Sequence, residues 1–144
     1  MTTVGRWMTK SPITIEKDAT VIEAVHLMRE KNIRRLPVMD KGKIVGILTE
    51  KMAADFNPSK ATYLDTWEAH FILAKTPVTE AMNPDPYKVH PETDLTEAAQ
   101  LLHDRKLNGV LGVDDQDSLV GILTVTNALE ELIAICGDPS LRNN

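Results

Sequence analysis

Cysteine and long apolar runs, which mark several common protein classes, are scarce in this sequence. Its 144 residues include a single cysteine, Cys136, so an intramolecular disulfide and a thiolate metal site are both excluded. A chain without a cysteine framework is typical of a reducing compartment. No run reaches the roughly 18 apolar residues of a membrane span, and the N-terminus lacks the apolar core of a signal peptide. We therefore expect a cytoplasmic protein that makes no membrane contact.

Positive charge and catalytic motifs are equally scarce. Sixteen lysines and arginines stand against 21 aspartates and glutamates, a formal net charge of −5 that argues against DNA or RNA as the main partner. The four histidines show no metal-ligand spacing, and the chain has neither a Walker loop nor a nucleophile motif. We therefore expect no nucleic-acid partner, no metal site, no catalytic residues and no enzymatic activity.

What the chain does contain is an internal repeat. Residues 74 positions apart carry the same letter at many places, including Met8 and Met82, Pro12 and Pro86, Glu23 and Glu97, Ala24 and Ala98, Leu27 and Leu101, and Asp40 and Asp114. After one extra residue in the second copy, the run Val45–Thr49 returns letter for letter as Val120–Thr124. Shared composition alone would not keep five residues in order, so the chain is a duplication.

The two copies predict the same order of elements: strand, helix, strand, strand, helix. Apolar residues recur at i, i+3, i+4 and i+7, as on one helix face, at Val21, Ala24, Val25 and Met28 and again at Leu95, Ala98, Ala99 and Leu102. Thr20 with Glu23, and Asp94 with Glu97, predict a capping box at the start of each helix. The duplication therefore extends from the sequence to the predicted secondary structure.

One copy alone would leave a face of its sheet uncovered. We therefore predict an α/β (α+β) fold in which two β-α-β-β-α repeats pack about a pseudo-twofold axis, with paired clefts at their seam. The expected division is a first repeat over 7–56, a helical insert over 57–77, a second repeat over 78–137 and a tail over 138–144. Gly46 and Gly121 suit places where a strand or a ligand closely approaches the backbone.

The insert contains one amphipathic segment, in which Leu64, Trp67, Phe71 and Ala74 share a helical face. Two interpretations stay open for this face. It caps the core, or it lies in a contact between two copies of the chain; both are favoured over a cofactor site.

Over residues 8–52 and 82–127 the sequence resembles a tandem pair of CBS domains, the Bateman module. The likeness rests on Met8–Pro12, Arg35–Val38 and Val45–Thr49 in the first copy and on Gly121–Asn127 in the second. The insert, with Pro58–Ser59, Ala61–Thr62 and Trp67–Glu68, is similar to that of small bacterial CBS proteins of the acetoin-utilisation type. The resemblance implies binding of an adenosine-containing ligand between the copies.

Thr49 and Thr124 each follow a strand and open a helix, where free N–H groups and the helix dipole attract a phosphate. In the family, an Asp or Asn three positions after this threonine holds the ribose hydroxyls. The second copy has Asn127 there, whereas the first has Met52, whose thioether is a weak acceptor. The resemblance thus implies a main cleft at Thr124 and Asn127 and a weaker cleft at Thr49. Both threonines are also explained as ordinary helix N-caps without any ligand.

The family pattern takes the remaining walls of each cleft from the opposite copy. For the main cleft it implies Ile13 and Ile33 around the base and Arg34 and Arg35, with their planar donor forks, near phosphate. For the second, weaker cleft it implies the residues Tyr87, Leu107 and Asn108 together with Thr49. The simpler alternative is that the apolar residues belong to the core and the arginines to a solvated face.

The leading interpretation is a regulatory module that senses AMP, ADP or ATP and passes its occupancy to an unidentified protein target. NAD and S-adenosylmethionine are also allowed as ligands, and no other cofactor is implied. The alternative is a ligand-free scaffold that recruits a partner through a dimer surface or through the helix of Trp67. CBS pairs resemble one another in dimerising, and the apolar stripes that end at Ile133 and Phe71 supply surfaces for a homodimer.

Overall fold

The computed structural model describes residues 2–56 and 66–137. The chain divides into two compact units. The first-repeat unit is Ile13–Pro86, and the second-repeat unit combines Met1–Pro12 with Tyr87–Asn144. Of the predicted insert, residues 57–65, Leu64 among them, lie outside the described residues.

The elements alternate as the repeat predicts. In chain order they are α1 (Val4–Trp7), β1 (Thr9–Lys10), β2 (Ile15–Glu16), α2 (Val21–Lys31), β3 (Arg35–Asp40), β4 (Lys43–Thr49), α3 (Glu50–Asp55), α4 (Thr66–Leu73), a 3-10 turn (Val78–Glu80), β5 (Lys88–Val89), α5 (Leu95–Arg105), β6 (Gly109–Val113), β7 (Leu119–Thr124) and α6 (Val125–Gly137). The predicted α+β class with two β-α-β-β-α repeats is confirmed.

Each unit has its own mixed sheet. In the first-repeat unit the order is β2-β3-β4, with β2 parallel and β4 antiparallel to β3. In the second-repeat unit the order is β1-β7-β6-β5, with β5 parallel to β6 and the other neighbours antiparallel. The two hairpins, β3-β4 and β6-β7, are therefore the common frame on which both units are built.

The predicted helix faces form the two cores. Val21, Ala24 and Met28 of α2 are buried in one cluster with Leu36, Val38, Leu48, Ala53 and Val78. Leu95, Ala98 and Leu102 of α5 are buried in the other with Val4, Val89, Val110 and Leu123. Burying a side chain of this size contributes roughly 1.5–3 kcal/mol, so these faces dominate the stability of each unit.

The two helices start differently, although both were predicted to carry a capping box. At α2 the box is confirmed: the Thr20 hydroxyl accepts from the Glu23 N–H at 3.2 Å, and the Glu23 carboxylate accepts from the Thr20 N–H at 3.1 Å. At α5 the prediction is wrong. The Asp94 carboxylate accepts from the N–H of Thr96, two residues on, so no reciprocal bond forms. Within the described residues, the Glu97 carboxylate has neither a hydrogen bond nor an ion pair.

Each unit is completed by a segment that the sequence places in front of the other repeat. The Thr2 carbonyl accepts from the N–H of Leu95, at the start of α5, at 2.9 Å. In the same way the Thr76 carbonyl accepts from the N–H of Val21, at the start of α2, at 2.8 Å. Each structural unit therefore combines one repeat with the segment that precedes the other repeat in the sequence.

Close approach of these segments explains the two repeated glycines. A Cβ on Gly121 would lie 2.5 Å from the Met8 Sδ and 2.9 Å from the Thr9 carbonyl oxygen. A Cβ on Gly46 would lie 2.5 Å from the Met82 Sδ. The close approach expected at both glycines is confirmed.

The face predicted for the insert helix does not cap the core within the described residues. Trp67 is 82% exposed and Phe71 is 59% exposed. The residue of α4 that packs against the first core cluster is Leu73. The helix therefore reaches the core through Leu73 and not through Trp67 and Phe71, and the contact between copies stays a prediction.

We expect Gly46→Ala and Gly121→Ala to lower the free energy of unfolding by about 1–3 kcal/mol each, because an added methyl group overpacks against a neighbouring segment. Gly137→Ala is the control, since nothing lies within 4 Å of a Cβ there. Urea unfolding measures all three. Equal stabilities for the three variants would show that the segments can move aside without cost.

Candidate functional site

In the first-repeat unit the predicted site residues gather at one end of the sheet. Ile13 precedes β2, Arg34 precedes β3, and Arg35 pairs with Thr49 across the β3-β4 ladder. Since β2 and β3 are parallel and β4 is antiparallel, the starts of two strands and the end of the third coincide there. Ile13 is exposed and Ile33 is half-buried. This end therefore carries two apolar side chains, two guanidinium groups and one hydroxyl.

The second-repeat unit repeats this arrangement with different chemistry. Tyr87 precedes β5, Asn108 precedes β6, and Thr124 pairs with Gly109 at the end of β7. Tyr87 is 41% exposed, Asn108 is exposed and Leu107 is half-buried. Where the first repeat has the two arginines Arg34 and Arg35, the second has the amide of Asn108 and Gly109.

Both threonines cap a helix, as the ligand-free interpretation predicted. The Thr49 hydroxyl accepts from the N–H of Met52 at 3.1 Å, and the Thr124 hydroxyl accepts from the N–H of Asn127 at 3.2 Å. These bonds satisfy one free N–H at the start of α3 and one at the start of α6. A capping role does not remove the hydroxyl from the surface, because both threonines stay half-buried.

A backbone contact closes each helix start, and sequence reasoning missed it. The Arg34 carbonyl accepts from the N–H of Glu50 at 2.9 Å, and the Asn108 carbonyl accepts from the N–H of Val125 at 3.0 Å. The signal available in the sequence is the offset of 74, which makes Arg34 and Asn108 counterparts directly before a strand. These contacts hold the loop before the hairpin against the first turn of the helix.

Thr124 and Asn127, which the resemblance assigns to one ligand, bond to each other. The Asn127 Oδ1 accepts from the Thr124 N–H at 2.9 Å and from the Thr124 hydroxyl at 3.0 Å. Asn127 is only 7% exposed. Its Nδ2 makes no bond to the described residues, and it is not fully buried. The Nδ2 group therefore remains a free donor, since the cap uses only the oxygen.

The counterpart position in the first repeat has a different environment. Met52 is half-buried and packs against the first core cluster. A thioether is at best a weak hydrogen-bond acceptor, so Met52 gives no ribose contact equivalent to that of an amide. The two helix starts therefore share a cap and differ in what lies next to it.

Arg34 and Arg35 form a cationic pair without a counter-charge. Within the described residues, neither guanidinium has a hydrogen bond or an ion pair. Burial, and secondly the charge of Arg34, lower the pKa of Arg35 below its ordinary value. Arg35 still carries its charge at neutral pH, because a guanidinium titrates far above this range. An anion at this end of the sheet would relieve the repulsion.

The described residues contain no group of three or more His, Cys, Asp or Glu side chains arranged to hold a metal ion. Across the same ranges, no helix combines the length and the apolar character needed to cross a membrane.

Comparison with solved structures gives several matches over nearly the whole chain. CBSX2 in complex with AMP superposes with a TM-score of 0.79 at 27% identity, over 94% of this chain and 98% of that one. An acetoin utilization protein of Vibrio cholerae, AcuB, gives 0.77 at 28% identity, over 95% and 94%. The CBS domain pair of MJ0100, in complex with 5′-methylthioadenosine and S-adenosylmethionine, gives 0.76 at 26% identity, over 92% and 96%.

Curated relatives differ in how much of their own length the chain spans. The chain is 28% identical to MJ1225 of Methanocaldococcus jannaschii. The aligned region covers 86% of this chain and 46% of that protein. The chain is also 28% identical to the CBS domain-containing protein YhcV of Bacillus subtilis, over 87% of this chain and 81% of that one. The family model of the CBS domain matches twice, at residues 4–56 and 78–134. The chain therefore belongs to the CBS domain family and carries two CBS domains in tandem.

Proposed function

We propose that this CBS pair is a regulatory module that binds an adenine nucleotide bearing at least one phosphate between its repeats. The observation that carries the proposal is the pair of uncompensated guanidinium groups at Arg34 and Arg35. In a chain of net charge −5, two adjacent cations without a partner among residues 2–56 and 66–137 favour an anionic ligand over a solvated surface. The AMP complex of CBSX2 supports the same class of ligand.

The proposal assigns residues of both repeats to the main ligand site. Thr124 and Asn127 hold the sugar phosphate, with the free Nδ2 of Asn127 donating to a ribose hydroxyl while its oxygen keeps the helix cap. Ile13 and Ile33 enclose the adenine, and Arg34 and Arg35 meet the phosphate. The exposed side chain of Ile13 supports a contact with a ligand, because a core residue would be buried.

Charge separates the candidate ligands. MJ0100 binds 5′-methylthioadenosine and S-adenosylmethionine, neither of which offers a phosphate, and the second carries a sulfonium cation. Two guanidinium groups would repel that cation, whereas they gain charge-assisted hydrogen bonds with a phosphate. We therefore favour AMP, ADP and ATP over S-adenosylmethionine for this chain, with NAD allowed because it also carries phosphate.

The second cleft of the proposal, with Thr49, Tyr87, Leu107 and Asn108, binds more weakly. Met52 is engaged with the core and gives no ribose contact. The Arg105 guanidinium already lies 5.8 Å from the centroid of the Tyr87 ring, so a base stacking there competes with an existing cation–π contact.

Signalling by such a module requires that the ligand bind two arrangements of the protein with different affinities. We propose that the chain acts without catalysis and as a homodimer. The apolar face of α6 supports the association, since Leu129, Leu132 and Ile133 are 50%, 54% and 68% exposed. Faces of this kind on a helix mark contacts with other protein surfaces.

A ligand-free scaffold is the second candidate function. The specific observation that favours it is the exposure of Trp67 on α4, because a large exposed aromatic side chain is typical of a protein-binding surface. The two candidates differ in one measurable property, the binding of small nucleotides.

Calorimetric titration with AMP, ADP, ATP, NAD and S-adenosylmethionine tests the proposed function. We expect the phosphate-bearing ligands to bind and S-adenosylmethionine to bind most weakly, because only the former neutralise the arginine pair. Absence of heat with every member of the series would leave the scaffold as the function.

Arg35→Gln should weaken AMP binding by about tenfold or more, since a hydrogen bond to a charged group contributes roughly 1.5–3 kcal/mol. Adenosine, which lacks the phosphate, should bind the variant and the unchanged protein equally. Arg29→Gln is the matched control, because it removes an exposed cation from the same unit. An equal loss for AMP and adenosine would place Arg35 away from the phosphate.

Asn127→Ala should weaken nucleotide binding far more than Met52→Leu, because only the first removes a group assigned to the ribose. Asn127→Asp keeps an oxygen for the cap at Thr124 and offers its second oxygen to a ribose hydroxyl. We expect Asn127→Asp to bind nucleotide and Asn127→Ala to lose most of the affinity in calorimetry. Equal affinities for the Asn127→Ala and Met52→Leu variants would reverse the ranking of the clefts.

A further inference from the structure

A helix of the same unit, α4, contacts the outer surface of α2. The His70 ring of α4 lies 6.4 Å, centroid to centroid, from the His26 ring of α2. One turn further, Leu73 packs against the core cluster to which α2 contributes. In the first repeat, this helix surface is therefore a binding surface for another helix.

The corresponding surface of α5 carries several of the same residues, and no helix of the described ranges covers it. Glu97, Ala98 and Leu101 repeat the letters of their first-copy counterparts, and Gln100 stands at the position of His26. Instead of a covering helix, the described part of the chain leaves a groove of 780 Å³ between β5 and α5. Gln100 and Leu101 line that groove, so the counterpart of the residue that contacts α4 faces open space.

The groove has an unsatisfied negative charge. Glu97 lines it, and its carboxylate has no hydrogen bond or ion pair with the described residues. Lys88, the cation of the groove, is already paired with Asp117 at 3.0 Å. A cation from outside would therefore find a free carboxylate at the edge of a partly apolar groove.

The outer face of α4 has the complementary chemistry. Trp67, Phe71 and Ile72 are 82%, 59% and 40% exposed. The Lys75 Nζ lies 4.1 Å from the centroid of the Phe71 ring, so a cation borders this aromatic surface. The inner face is occupied by its contact with α2, which leaves the outer face available to a second molecule.

We propose that the outer face of α4 docks into the groove beside α5 of a second copy of the chain. Trp67 and Phe71 fill the groove over Leu101, and Lys75 meets the free carboxylate of Glu97. The contact uses a face of the second-repeat unit that the ligand proposal does not involve. It uses the face of α4 opposite to the one that packs on α2.

Disulfide trapping tests the contact directly. In a Cys136→Ser background, one chain carries Ala74→Cys on the border of the α4 face, and a second chain carries Gln100→Cys in the groove. We expect the mixed disulfide in a glutathione buffer to exceed that of a control pair by about tenfold, because contacting thiols react at a high effective concentration. The control replaces Gln100→Cys by Asp115→Cys, which lies in an exposed turn of the same unit. Equal yields for the two pairs would overturn the proposal.

Charge reversal gives a second measurement on unlabelled protein. Lys75→Glu and Glu97→Lys should each weaken self-association in sedimentation velocity, and the double variant should recover it, because the pair is restored with opposite sign. Trp67→Ala should weaken association without a charge change. A double variant as weak as the single ones, or association unaltered by Trp67→Ala, would contradict docking of α4 in the groove.

Discussion

Contact between a methionine and a glycine determines how each unit is assembled. Met8 packs on Gly121 of β7, and Met82 packs on Gly46 of β4. Each methionine sulfur lies so close to the glycine that a Cβ there would collide with it. Each methionine lies near the start of one repeat and packs on a strand of the other. Because that strand ends in the capping threonine, the contact also fixes where the sheet ends and the next helix begins. The positions of the candidate ligand residues follow from this packing.

Duplication has kept the frame and changed the chemistry on it. The hairpins, the capping threonines and the carbonyl contacts of Arg34 and Asn108 are common to both copies. At the position three residues after the threonine, one copy has an amide that completes the cap, and the other has Met52 in the core. The frame depends on backbone contacts and buried apolar residues. It therefore tolerates the exchange of Asn127 for Met52, because neither of these two side chains determines the strand pairing.

Much of the frame could be predicted from the sequence because its determinants are local. The faces of α2 and α5 follow from spacing, and the threonine caps follow from a strand directly before a helix. The packing of Thr2 on α5 and of Thr76 on α2 could not be predicted, because no periodicity records which distant segment a strand will meet. The capping box expected at Asp94 failed for a finer reason. An aspartate reaches the N–H two residues on, and that bond leaves Glu97 without its part in the box.

The candidate site shows the same limit at the level of single atoms. Sequence placed Thr124 and Asn127 on one helix face, which is correct, but spacing cannot state whether two polar side chains face a ligand or each other. Here the hydroxyl and the amide oxygen are bonded together, and the Nδ2 has no partner among the described residues. A ligand that accepts a hydrogen bond from the Asn127 Nδ2 leaves the cap intact. A ligand that accepts from the Thr124 hydroxyl must replace the bond from that hydroxyl to Asn127. Use of the amide donor therefore costs the least of the existing hydrogen bonds.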